Sequence, residues 1–226
     1  MWLADLAWPD VAARAAAGAV LAVPLGSTEQ HGPHLPLSTD TDVAVVLCRR
    51  LASARPDVLI APPVAYGSSG EHDGFAGTLS IGQAAVERLV LELGRSATRT
   101  FRRVLFVSAH GGNVEPVTRA VEQLRSRSRD VTLFQPRREG SDAHAGHHET
   151  ALQLALSPAR VRMDRAVAGN TRPLVTLMPQ LRANGVAAVS ASGVLGDPTT
   201  ATAAAGAALL DQLAEDLVRQ VAAWLD

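Results

Sequence analysis

Residues 26–40 read GSTEQHGPHLPLSTD and follow directly on the apolar run AVLAVPL at residues 19–25. An apolar run of that length, closed by a glycine and a set of prolines, reads as a buried strand that empties into a loop. Gly32, Pro33 and Pro36 prevent the loop from continuing as a regular helix. It nevertheless carries Glu29, His31, His34 and Asp40. In an open α/β sheet ligands collect where strands end at their carboxyl side, so this stretch sets both the expected fold class and the place to look for chemistry.

The same pattern recurs along the chain. Short apolar runs at 20–24, 58–61, 104–108 and 131–134 read as strands. Longer amphipathic stretches at 40–54, 83–98, 114–126, 148–156 and 202–225 read as helices. This alternation predicts an α/β fold with a mostly parallel central sheet. The length of 226 residues suits one core, and no composition break suggests a linker, so a single domain over 1–226 is expected.

Composition excludes several classes. A net charge of -1, with scattered arginines and no lysine, gives no electrostatic footprint for nucleic acid or an anionic membrane. The absence of lysine also argues against a phosphate-binding glycine loop at HGGN. With Cys48 as its only cysteine, the chain has no disulfide, and any metal must be held by nitrogen and oxygen. The opening MWLADLAWPD lacks a basic segment followed by an apolar core, so a cytoplasmic location is expected.

Seven histidines are present: His31, His34, His72, His110, His144, His147 and His148. All fall in the strand exits, GSTEQHGPH, YGSSGEHDGFAG, HGGN and SDAHAGHHE, or at the start of the next helix. One loop histidine is ordinarily a solvated side chain. Seven at converging loops suggest a metal and a proton-transfer group. Glu29 stands two residues before His31, so in extended chain both point to one side. Asp40 has a rival reading as a helix cap, and Glu149 as a carboxylate favoured in a first helical turn. Glu29, His31, Asp40, His110 and Glu149 together make a set suited to two divalent ions, and Zn²⁺, Fe²⁺ and Mn²⁺ all accept it.

In its E-x-H-x8-D pattern at 29–40, in HGGN and in HAGHHETALQLALSP, the chain resembles the creatininase family over nearly its whole length. The resemblance implies a three-layer α/β/α sandwich, a homo-oligomer and metal-dependent amide hydrolysis. It implies Glu29, His31, Asp40 and His110 as metal ligands, with Asp40 bridging, and His144 as the catalytic acid or base. A family glutamate ligand two residues after the histidine is Gly112 here, and Glu149 is the candidate to take its place. Tyr66, His72, Gly111 and Gly112 are expected at the substrate, with 66–75 and 192–200 as pocket walls. Arg137 and Arg138 are considered as carboxylate grips.

APPVAYGSSGEH, GNTRPL, LMPQLRANGVAAVS and GVLGDPTTAT resemble a subgroup that trims a modified precursor peptide. That likeness implies release of a C-terminal Val-Tyr-derived dipeptide unit. The alternatives are a family amidohydrolase acting on a small cyclic amide or a formamide, and a non-catalytic oligomeric scaffold. The alanine-rich last helix is a candidate subunit interface, although such stripes more commonly face a core.

Overall fold

A computed structural model describes residues 1–136, 140 and 142–226, so Arg137 and Arg138 lie outside the described residues. The sheet has four parallel strands, β1 (Val20–Leu25), β2 (Val58–Ile60), β3 (Arg103–Ser108) and β4 (Asp130–Phe134), in the order β2-β1-β3-β4. Val20 pairs with Val58 on one side and Arg103 on the other, and Arg103 pairs with Asp130. All four strands therefore begin level and run the same way, so their exits lie toward one edge, with β2 ending at Ile60 opposite Ala22 while β1 continues to Leu25.

Helices cover both faces, as the two-residue alternation of each strand requires. Val20, Ala22, Leu105 and Val107 face α2 (Thr39–Ala54), α5 (His147–Leu156) and α7 (Ala203–Leu225). Leu21, Val23, Val104 and Phe106 face α1 (Trp8–Ala16), α3 (Gln83–Ala97) and α4 (Val114–Ser126). The result is the three-layer α/β/α arrangement. The apolar stripe of α7, with Leu209, Leu213, Leu217 and Val221, is spent on this core. Thr202 caps α7 by accepting the Ala205 N–H at 3.2 Å. No helix among the described residues is long and apolar enough to cross a membrane.

Two helices were not legible in the periodicity. Helix α1 is amphipathic yet contains no fully buried residue. In α6 (Leu174–Asn184) Pro179 interrupts the pattern and Leu177 is the one buried side chain. Small as its contribution is, α6 ties together the two expected pocket walls: Leu177 packs with Phe75, Val186 and Leu195.

Candidate metal centre

The centre forms where the β1, β2 and β3 exits meet the start of α2 and the His144 segment. Gly26 lets the β1 exit press on α2, since a Cβ there would stand 2.4 Å from Thr41 Cα. Asn113 then clamps two exits together, accepting the Ser68 N–H at 3.0 Å and donating to the Gly26 carbonyl at 3.0 Å. Asp40 lies in the first turn of α2, where its carboxylate turns inward and makes no cap.

Around Asp40 the side chains close into a ring. His31 Nε2 lies 3.3 Å from Asp40 Oδ1 and 3.8 Å from Glu149 Oε2. His110 Nδ1 lies 3.2 Å from Asp40 Oδ2, and its Nε2 is 3.3 Å from Glu29 Oε2. Glu29 Oε1 faces His72 Nε2 at 3.4 Å and His144 Nδ1 at 3.7 Å. The His144 ring sits between those of His31 and His72, with centroids 4.3 Å from each.

Hydrogen-bond partners decide which nitrogens are bare. His31 Nδ1 donates to the Glu29 carbonyl at 3.1 Å, His110 Nε2 to the Ser68 carbonyl at 2.9 Å and His144 Nε2 to the Gln30 carbonyl at 2.7 Å. A neutral imidazole has one N–H, so the remaining nitrogen of each ring is a lone pair turned toward the carboxylates. An outward N–H on a backbone carbonyl is the usual support of a metal-binding histidine.

Two lone pairs then face the Asp40 carboxylate at hydrogen-bonding distance, and a proton or a cation must lie between each pair of acceptors. Asp40 Oδ2 is buried and accepts no well-formed hydrogen bond. Burial opposes a charge on His31, yet Asp40, Glu149 and Glu29 outweigh it and push its pKa up to about 10. His110 is likewise pushed up to about 10 against burial, by Glu29 and Asp40. Burial resists the charge on Asp40 too, but the His31 and His110 charges hold its carboxyl well below the usual range. Burial and then the Asp40 charge raise Glu29 to about 7. The pocket thus calls for positive charge, and its nitrogen and oxygen donors fit divalent metal. Three overlapping groups could each hold an ion: Glu29, His31 and Asp40; Glu29, His72 and His144; His31, His144 and Glu149.

Burial pushes His144 well below its ordinary value and His72 to about 3, in each case with the His31 charge adding to the effect. Both rings are neutral. Glu149 also receives the Ala145 N–H, in a turn where Ala145 adopts the left-handed φ of 52°. That strained turn aims His144 and Glu149 at the same centre.

Of the residues expected at substrate, His72 lies inside the ring of donors. Gly111 and Gly112 follow His110 directly. Tyr66 is 52% exposed on the loop before Gly67 and stands outside the cluster. Gly112 is required by close approach, because a Cβ there would sit 2.1 Å from the Ser68 oxygen that orients His110. His34 bonds Thr150 at 2.8 Å away from the ring, and His148 pairs with Asp142 at 2.8 Å. Sequence reasoning missed Ser27, whose hydroxyl donates to Glu29 Oε2 at 3.0 Å, and Gln30, whose amide reaches His72 and Gly193. An uncharged glutamine wedged between two expected ligands was the available signal.

The family model for creatininase, described as creatinine amidohydrolase, matches residues 4–221. The chain belongs to the creatininase family. As a creatininase-family chain it is a metal-dependent hydrolase acting on carbon–nitrogen bonds. It is 52% identical over 210 residues to a mycofactocin precursor peptide peptidase of Mycobacterium ulcerans, covering 89% of this chain and 84% of that one. A solved creatininase with one tryptophan replaced by phenylalanine superposes with a TM-score of 0.84 at 26% identity, covering 97% of both chains. A creatininase solved in a Zn–Zn form superposes at 0.83 with 24% identity, covering 97% of this chain and 96% of its own, and shares the fold.

Proposed function

We propose that this chain, as one domain over residues 1–226, is the peptidase that hydrolyses the modified mycofactocin precursor peptide and releases its C-terminal Val-Tyr-derived dipeptide unit. The observation that carries the reading is the set of three imidazoles, His31, His110 and His144, anchored outward on carbonyls with bare nitrogens facing Glu29 and Asp40. The mycobacterial likeness of 52% supports the substrate. Glu29, His31, Asp40, His110 and Glu149 would hold two divalent ions, Zn²⁺, Fe²⁺ or Mn²⁺, a reading supported by His31 and His110 lying against the two oxygens of the one Asp40 carboxylate. When bound, the ions supply Lewis acidity to the scissile carbonyl and lower the pKa of water.

The chain's own residues supply positioning and proton transfer. His144 Nδ1, bare because Nε2–H is tied to the Gln30 carbonyl, accepts a proton from water and returns it to the departing amine. His144 is neutral at the outset, so it acts as base before it acts as acid. The backbone at Gly111 and Gly112, directly after His110, would meet the substrate carbonyl, and the exposed Tyr66 would contact the peptide. The active form is a homo-oligomer in the cytoplasm.

The test is elemental analysis of protein made without added metal, alongside mass spectrometry of the modified peptide after incubation, for wild type and Asp40→Asn. Bound divalent metal and dipeptide release in wild type, both lost in the variant, are expected. Metal retained in Asp40→Asn would remove Asp40 from the ligands, and intact peptide with loaded wild type would discard the substrate.

A further inference from the structure

His72 breaks the pattern that the other three histidines share. Their outer nitrogens donate to carbonyls, whereas the outer nitrogen of His72, Nδ1, lies 2.7 Å from Gln30 Nε2, an amide nitrogen. The orientation of that amide is fixed twice over. Gln30 Oε1 accepts the Gly32 N–H at 2.8 Å, and Gln30 Nε2 stands 3.2 Å from the Gly193 carbonyl. Turning the amide over would set donor against donor at Gly32 and acceptor against acceptor at Gly193.

The two hydrogens of Gln30 are thereby assigned. His144 Nε2, 3.1 Å away, already donates to the Gln30 carbonyl and cannot accept one. One amide hydrogen goes to Gly193 and the other to His72 Nδ1. An imidazole that accepts at Nδ1 carries its N–H at Nε2, and Nε2 of His72 lies 3.4 Å from Glu29 Oε1. Donor geometry alone would admit His72 to a ligand set with Glu29 and His144. The hydrogen at Nε2 removes it.

We propose that Gln30 is a positioning residue that locks His72 in the Nε2–H form, so that His72 is a hydrogen-bond donor to Glu29 within the centre and does not bind metal. Ser27 donates to Oε2 and His72 Nε2 lies beside Oε1, so in this form each oxygen of Glu29 would have a donor to hold the plane of the carboxylate. The proposal rests on the metal-centre reading of the preceding subsection.

The experiment is two-bond ¹H–¹⁵N correlation spectroscopy of zinc-loaded protein labelled at histidine, with the His72 signals assigned by their loss in His72→Gln. Wild type is expected to show His72 protonated at Nε2 alone. In Gln30→Glu the carboxylate cannot donate, and His72 moves to the Nδ1–H form. Gln30→Met, which keeps the length without charge, gives a mixture of both forms and covers the case in which the glutamate variant does not fold. Zinc content per chain is unchanged in His72→Gln, whose amide still donates toward Glu29, while zinc affinity falls by no more than the roughly 10–100-fold typical of a lost supporting contact. A wild-type His72 protonated at Nδ1, or the loss of a zinc ion in His72→Gln, would overturn the proposal. The tautomer is read without substrate, so a peptide that is not cleaved leaves the His72 signal to decide the matter alone.

Discussion

Gly112→Ala adds one carbon and tests how His110 is held. The new Cβ would meet the Ser68 carbonyl oxygen at 2.1 Å, His110 Nε2 at 2.7 Å and Glu71 Oε1 at 2.8 Å. The Glu71 carboxylate is the end of a flexible side chain and swings aside, but the Ser68 oxygen is main chain. To restore even a 3.0 Å contact it must recede by roughly 0.9 Å. It now accepts the His110 N–H at 2.9 Å, so the retreat takes that bond beyond hydrogen-bonding range.

A buried N–H and a carbonyl left unpaired cost about 1–3 kcal/mol, and for a domain of this size each kcal/mol lowers the melting temperature by about 2–4 °C. Loss of the carbonyl that orients a ligating imidazole costs a further ~10–100-fold in metal affinity. Thermal melts of the chelated protein and zinc titration against a chromophoric chelator read the two effects separately. Gly111→Ala is the matched control, since nothing lies within 4 Å of its Cβ, and it should change neither. Wild-type zinc affinity in Gly112→Ala would refute the reasoning.

Two further outcomes follow from burial and charge. In metal-free protein His31 and His110, ordinarily near 6.5, are raised to about 10, and Glu29 is raised from 4.5 to about 7. Each raised group contributes stability that is complete below its unfolded pKa and lost as pH rises through its folded pKa. The melting temperature of chelated protein should therefore fall between pH 7 and 10, while zinc-loaded protein, whose ions replace those protons, falls less; parallel slopes in scanning fluorimetry would contradict this. Leu217→Ala empties a fully buried position in α7 far from the donors. It should cost about 2–5 kcal/mol in denaturant melts and leave zinc per folded chain unchanged, and a loss of metal would show that the core and the centre are coupled.

The strands were legible because parallel strands buried on both faces are continuous apolar runs, as Val20–Leu25 and Arg103–Ser108 show. Helix α6 was not, because Pro179 interrupts it and only Leu177 is buried, and α1 was not because it is short and alanine-rich, with an amphipathic face that buries no residue fully. At the centre, the Glu29 and His31 spacing indicated a shared direction, and the strand-exit rule gathered His110 and His144. What the sequence does not carry is the state of each imidazole. That depends on Ser68, Gln30 and Gly193, donors and acceptors that arrive from other loops once the chain has folded. The same holds for Gly112, whose necessity comes from Ser68 O and from no unusual φ of its own.

Charge argues for the number of ions. Glu29, Asp40 and Glu149 bring three negative charges into one space, the chain has no lysine, and among the described residues no arginine pairs with any of the three. With neutral imidazoles, one divalent ion would leave an excess negative charge within the fold, which is costly to bury. Two would leave one positive charge, which suits a site that must stabilise an oxyanion as it forms. Glu149→Gln removes one carboxylate while its amide oxygen still accepts the Ala145 N–H in the turn before α5. The pair then carries too much positive charge, and His31 loses the oxygen 3.8 Å from its Nε2. On the proposed two-ion reading, metal content by elemental analysis should fall from about two ions per chain toward one, with the melting temperature of chelated protein little changed. Two ions retained in Glu149→Gln would mean that Glu149 serves the turn at Ala145 alone and that the second ion is held by other donors.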